Sequence, residues 1–191
     1  MKKALLIASV LFIAVISTAC INNIAVQELN NKAAEYMEKG DYESAMNRLQ
    51  ASLDLDATMY QTYYNLGIAS TNAKKYDTAI EAFENGMKIK PDYYNFYYSL
   101  GVVQAEYADK LVETESVNAE NAETTAPKEV SAEDKAKAEG LKISAIQNLK
   151  KYLELHPDAG DRETVEELIK DCENFGKPTQ TETTKVIEAE G

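Results

Sequence analysis

Apolar residues recur at spacings of three and four along two stretches near the start of this chain, and the same pattern returns 34 residues later. Starting at Val26, Leu29, Ala33 and Tyr36 form one stripe, Gly40 and Asp41 punctuate it, and Tyr42, Ala45, Leu49, Ser52 and Leu53 form a second. Such spacings gather side chains on one face of an α-helix, so each stripe predicts a helix and the punctuation a turn. From Tyr60 the pattern repeats as Tyr63, Leu66 and Gly67, a turn near Lys74 and Lys75, then Tyr76, Ala79, Phe83, Gly86 and Pro91. Tyr42 answers to Tyr76, Ala45 to Ala79 and Leu49 to Phe83. A fixed period of this length predicts stacked helix-turn-helix units, each burying its apolar face on the next. Gly67 and Ala79 predict a close helix approach, with Tyr63 and Phe83 filling the space beside them. Pro91 cannot continue the helix and closes the unit.

A third unit opens with Tyr94, Tyr97, Leu100 and Gly101, but Glu113 stands where the small residue of its second helix belongs. Gly140, Ala145, Leu149, Tyr152 and Pro157 restore that half, so the unit reads as split by an insertion over 108–139. The insertion's centre, near Val117 to Pro127, reads as a solvated, flexible stretch. Ser131 followed by Asp134 reads as a helix start, which lets the second helix begin about two turns early, and the first helix reads as continuing to about Leu111. The two then predict a projecting hairpin. The insertion reads either as a tolerated loop or as an arm that docks a partner. Farther on, Val165, Leu168, Ile169, Cys172 and Phe175 share one face of a predicted capping helix over 161–175, ended by Gly176 and Pro178. Residues 177–191 read as a disordered polar tail.

The small-aromatic-small-Pro signature of Tyr63, Leu66, Gly67, Tyr76, Ala79, Phe83 and Pro91 resembles the tetratricopeptide repeat (TPR), and Leu29, Ala33, Tyr36, Tyr42, Ala45 and Leu49 match it more loosely, with Ala57 in place of the closing proline. The resemblance implies an all-α fold: a short right-handed superhelix of antiparallel helix pairs, with repeats 26–59, 60–93 and 94–159 and the capping helix. It also implies a concave groove lined by the first helix of each unit. The matching positions are Gln27, Asn30, Ala34 and Met37, then Tyr64, Asn65, Ile68 and Thr71, then Asn95, Tyr98 and Val102. Of these, Asn30, Tyr64, Asn65, Ile68, Asn95, Tyr98 and Val102 form the candidate peptide-binding set. Asn65 falls where such repeats place an asparagine against a ligand's backbone, and Tyr64 and Tyr98 are read as ligand contacts. Tyr60, Tyr63, Tyr93 and Tyr97 are read as packing between repeats. The family's clamp for the acidic tail of heat-shock chaperones uses Lys and Arg, whereas the corresponding positions here hold Asn30, Ala34, Asn65, Asn95 and Ser99.

The N-terminus adds an address. Lys2 and Lys3 precede an apolar run from Ala4 to Ile16, then Ser17, Thr18, Ala19 and Cys20, which reads as a signal peptide over 1–19. The 16 residues from Ala4 to Ala19 would reach roughly 24 Å as a helix, short of the about 30 Å of a bilayer core. Small residues directly before a cysteine resemble the bacterial lipobox, although Ser17 departs from its usual aliphatic residue. That resemblance implies acylation of Cys20, a linker over 20–25, and a chain held at the bacterial envelope facing the periplasm or exterior. Ile21, where an acidic residue would imply inner-membrane retention, favours the outer membrane.

Composition then excludes more than it adds. The 191 residues carry 20 basic and 32 acidic side chains, a net charge of −12 that disfavours nucleic acid and wide contact with anionic headgroups. With Cys20 acylated, Cys172 has no disulfide partner and reads as a small buried hydrophobe. The single histidine, His156, precedes Pro157 at a predicted helix end, where an imidazole can meet terminal carbonyls. No cofactor, metal cluster, phosphate cradle or nucleophile-base pair is recognisable, so the chain reads as non-enzymatic. The function expected is a lipid-anchored adaptor or scaffold for a protein or extended peptide. The alternative is a structural, self-associating envelope protein that uses its Tyr-rich faces.

Overall fold

A computed structural model describes residues 23–113 and 130–177. The signal peptide, Cys20, the first part of the 20–25 linker, the centre of the insertion and the tail beyond Lys177 lie outside the described residues. Within them the chain is all-α, with seven helices and no strand. They are α1 over 23–38, α2 (Tyr42–Leu55), α3 (Tyr60–Asn72), α4 (Tyr76–Ile89), α5 (Tyr94–Val112), α6 (Ala132–Leu155) and α7 (Arg162–Asn174). Helix α1 is already formed at residue 23, so the last three residues of the expected linker are helical. Among the described residues no helix is long and apolar enough to cross a membrane. The chain divides into two compact units, Met1–Ser99 and Leu100–Gly191.

In the first unit, four helices and the start of α5 follow from local chemistry repeated at the 34-residue period. Gly40 takes a left-handed φ of 73° after α1, and its amide and that of Asp41 close the helix end on Met37 and Tyr36 carbonyls. Lys74 occupies the equivalent place after α3 with φ 59°, and the amides of Lys74 and Lys75 return to Thr71 and Ser70 in the same way. The period therefore fixes the turn geometry even where glycine is absent. Asp41 starts α2 by accepting a hydrogen bond from the Ser44 amide at 3.1 Å. The Ser44 side chain, and with it that amide, holds the Asp41 carboxyl below the usual carboxylate range. A folded-state pKa below the unfolded one gives stability that is present above the unfolded value and lost as pH falls through the folded one. Asp41→Ala should thus lower the melting temperature at pH 7 and flatten its decline at acid pH, whereas Asp41→Asn should keep the cap and flatten only the acid limb, as followed by circular dichroism.

Ala33, Ala45, Leu49, Leu53, Leu66, Ala69 and Ala82 form the core, with Phe83 and Phe96 fully buried beside it. A Cβ at Gly67 would run into the ring of Phe83, and one at Gly86 into the ring of Phe96. Glycine at these two positions is what lets the aromatic rings lie against helix backbone.

In the second unit the split repeat is reassembled. A Cβ at Gly101 would lie 2.6 Å from Leu149 Cγ, the same small-against-large pairing that joins Gly67 to Phe83. Gly101 and Leu149 stand one period on from Gly67 and Phe83 once the insertion is allowed for. Helix α5 runs to Val112 and α6 begins at Ala132, where Ser131 Oγ accepts from the Asp134 amide at 3.0 Å. The two are tied antiparallel by Asn148 to Gln104 at 2.9 Å, Lys142 to Asp109 at 2.6 Å, and Lys137 to the Tyr107 hydroxyl at 2.7 Å. Helix α7 covers α6 with Val165, Ile169 and Cys172 buried, and Gly176 turns left-handed after it.

Candidate functional site

The first helices of the repeats meet side by side in the first unit, and two polar contacts define how. Asn30 on α1 donates from Nδ2 to Ser52 Oγ on α2 at 2.7 Å and to the Val26 carbonyl at 2.9 Å, and its Oδ1 accepts from Thr62 Oγ1 on α3 at 3.2 Å. Ser52 and Thr62 are fully buried, so an asparagine satisfies two hydroxyls that would otherwise be orphaned. On the other side of α3, Ser99 Oγ on α5 lies 3.4 Å from the Tyr64 hydroxyl. Helices α1, α3 and α5 thus form one wall in that order.

The candidate residues divide on this wall. Asn30 is taken up at both ends of its amide by the buried triad. Tyr64, expected to face a ligand, lies in an aromatic cluster with ring centroids 5.9 Å from Phe83 and 5.6 Å from both Tyr93 and Phe96. It belongs with the packing tyrosines Tyr60 and Tyr93, whose rings are 5.3 Å apart. Asn95 donates to the Tyr93 hydroxyl at 2.9 Å, which fixes its amide. Asn65 and Ile68 on α3 and Tyr98 on α5 are half-exposed; Asn65 and Tyr98 adjoin the Tyr64–Ser99 contact in sequence and Ile68 lies one turn beyond it. The Asn65 amide makes no side-chain hydrogen bond among the described residues. Thr71 bonds back to the Gly67 carbonyl, and Val102, half-exposed, falls in the second unit.

Two of the three helices of the wall, α3 and the start of α5, carry no charge, whereas α1 bears the exposed Lys32–Glu35 pair. Charged residues make up 27% of the chain, yet α3 has none from Tyr60 to Asn72, and α5 has none before Glu106. The second helices differ: α2 and α4 enclose a cleft of about 330 Å³ lined by Gln50, Asp54, Tyr63, Thr78, Glu81 and Asn85. Uncharged amide, hydroxyl and apolar groups on α3 and the start of α5 suit a neutral polypeptide backbone and its side chains. Among the described residues no three His, Cys, Asp or Glu side chains converge to hold a metal ion. Cys172 is a free thiol packed with Ala105, Ala145, Ile146 and Leu168; burial pushes its pKa up, while the Lys142 charge acts in the opposite direction. His156 ends α6, with its ring edge-on to Tyr152 and Nδ1 3.3 Å from the Tyr152 hydroxyl.

Sequence reasoning missed Phe96, which is fully buried against Gly86, and Lys142, which is 6% exposed beneath Phe175. Phe96 could have been found four residues before Leu100; nothing local marks Lys142 as buried.

The tetratricopeptide-repeat family profile matches residues 29–59 and 60–93. A TPR repeat-containing protein of Schizosaccharomyces pombe is 42% identical over 48 residues, which are 25% of this chain and 6% of that protein. Among solved structures, the Arabidopsis OM64 TPR domain is similar with a TM-score of 0.59 at 14% identity, covering 81% of this chain and 98% of that one. The Yersinia enterocolitica type III secretion chaperone SycD, solved with a peptide of the translocator YopD, gives 0.56 at 16% identity over 77% and 91%. The second TPR domain of human RPAP3, solved with an HSP70 peptide, gives 0.57 at 12% over 80% and 98%. The chain is an all-α protein with a TPR-like fold, and its residues 29–59 and 60–93 are tetratricopeptide repeats.

Proposed function

We propose that this chain is a non-catalytic adaptor that binds an extended segment of a partner protein along the α1–α3–α5 wall and is held at a bacterial envelope by acylation of Cys20. The observation that carries the binding reading is the run of two adjacent helix segments of the first unit, Tyr60–Asn72 and 94–99, without a charged residue in an otherwise charge-rich chain. A surface left uncharged in that way disfavours solvent-only duty and suits burial by a ligand. Asn65 supplies a donor and an acceptor for a peptide unit, and Ile68 and Tyr98 supply area at small entropic cost. SycD and RPAP3, whose solved forms hold peptides, support a peptide as the ligand class. An acidic chaperone tail is the wrong ligand, because Asn30, Ala34, Asn65, Asn95 and Ser99, at the positions that would clamp it, offer no Lys or Arg.

Co-purification of the lipidated protein with envelope partners tests the reading. Asn65→Ala combined with Tyr98→Ala should weaken retention of the partner about tenfold or more, the loss expected from about 1.4 kcal/mol or above at a binding centre. Unchanged retention would remove this wall from the account.

A further inference from the structure

Four large aliphatic side chains stand out as exposed among the described residues: Ile24, Leu55, Ile89 and Ile143. Three of them collect at one edge of the first unit. The Asn30–Ser52–Thr62 triad brings the beginning of α1, the end of α2 and the beginning of α3 together. The Tyr60–Tyr93 ring contact adds the turn between α4 and α5 to the same edge. Ile24, 66% exposed, lies on the second described residue of α1, while Leu55, 43% exposed, and Ile89, 40% exposed, are the last residues of α2 and α4. Leu55 and Ile89 stand one period apart, so an exposed aliphatic is a repeated feature of this edge. Leu155, the last residue of α6, holds the same position in the split third repeat and is half-exposed.

Half-exposed tyrosines accompany them. Tyr60, Tyr93, Tyr94 and Tyr97 all lie within the first turns of α3 and α5 or in the turn before α5, and the Tyr97 hydroxyl reaches the Pro91 carbonyl at 2.9 Å. The opposite edge has a different character. There the turns carry Lys39, Asp41, Lys74 and Lys75, all exposed, and Lys75 pairs with Glu43 at 2.7 Å across the two turns. The first edge holds the exposed large aliphatics of this unit and its tyrosines around one exposed ion pair, Lys90 with Asp92 at 3.0 Å; the opposite edge has charged turns and none of those aliphatics.

We propose that the edge bearing Ile24, Leu55 and Ile89 rests on the surface of a phospholipid bilayer, so that the repeat stands with its charged turns away from the membrane. The inference depends on the proposed acylation of Cys20, and covalent length then argues for it. Three residues join Cys20 to residue 23, a reach of roughly 10 Å at full extension. An acyl chain on Cys20 therefore brings the start of α1, and the edge it belongs to, to within that distance of the lipid. Aliphatic side chains and tyrosines are the residue types that settle at the headgroup boundary, where the ring is sheltered and the hydroxyl stays wet. Without Lys2 and Lys3 the acylated chain carries 18 basic and 32 acidic residues, a net charge of −14, and gains nothing from anionic headgroups, so the contact calls for a zwitterionic surface. It also directs the α1–α3–α5 wall along the membrane plane rather than into it.

The chain contains no tryptophan, so a single one can serve as a reporter of depth. Full-length lipidated protein carrying Ile89→Trp, Leu55→Trp or Lys74→Trp would be reconstituted in phosphatidylethanolamine and phosphatidylcholine vesicles, with acyl-chain-brominated phosphatidylcholine as quencher. The substituted sites are solvent-exposed, and circular dichroism checks each fold. A side chain seated about 5–10 Å into the boundary should lose roughly half its emission at positions 89 and 55, and under roughly a tenth at position 74. An acylated, vesicle-bound protein whose Trp at 89 and 55 is quenched no more than at 74 would overturn the orientation and leave the anchor standing. A chain whose intact mass shows no acyl group and that does not float with vesicles would overturn the anchor, and the orientation with it.

Discussion

Phe83→Ala should destabilise the protein by about 3–5 kcal/mol, the range for emptying a fully buried aromatic site in a close-packed core. Phe83 has no exposed surface; it lies against the Gly67 backbone and 6.4 Å from the Phe96 ring. Gly67→Val approaches the same contact from the other side. Helix propensity favours the change, but the new side chain must enter the space of the Phe83 ring, and overpacking of this kind costs about 1–3 kcal/mol. The two substitutions together should be less damaging than their sum, because valine occupies part of the space the ring leaves. A coupling of about 1 kcal/mol or more in urea denaturation of the four chains is the expected signature. Additive effects would mean that Gly67 and Phe83 are not the lock between the helices of the second repeat.

Leu149→Ala should cost about 2–5 kcal/mol, and this result tests how the third repeat is assembled. Leu149 is fully buried, and its side chain occupies the space a Cβ on Gly101 would take. Read without an insertion, the period would instead place Glu113 in the second helix of that repeat. Glu113 is exposed just beyond α5, and its carboxylate meets Lys110 at 2.7 Å in solvent, where an ion pair adds little. Glu113→Ala should therefore leave the urea midpoint where it is. A large loss from Glu113→Ala with a small one from Leu149→Ala would reverse the assignment.

The repeats were readable because a period constrains every core position at once. Gly67 with Phe83 and Gly101 with Leu149 are one pairing written twice, Ala33 and Leu49 share the core at the equivalent positions, and the split repeat was recoverable across the insertion from spacing alone. The Ser131 cap was readable for a local reason, since a hydroxyl three residues before an acidic side chain is a complete helix start in itself. The wall was less readable. Periodicity shows which helix face a tyrosine lies on, but a tyrosine can serve packing or a ligand equally well, and Tyr64, half-exposed, spends one side on the rings of Phe83, Tyr93 and Phe96. Asn30 is similar: its partners Ser52 and Thr62 lie on two other helices, at separations no local pattern encodes. Lys142 would be assigned to solvent by its chemistry, yet Asp109 on the extended part of α5 and the face of Phe175 satisfy its charge in place.

Fold and repeat identity rest on pairings made many times over, whereas binding rests on a few side chains on α3 and α5. The most direct measurement of the central claim is photo-crosslinking in intact cells from a benzophenone amino acid placed at Ile68 on the uncharged helix α3, with the same probe at the exposed Thr78 of the α2–α4 cleft as reference. The account predicts a discrete adduct with another polypeptide from position 68, absent from position 78 and lost when Asn65 and Tyr98 are both alanine. An adduct formed from position 78 and not from position 68 would contradict it.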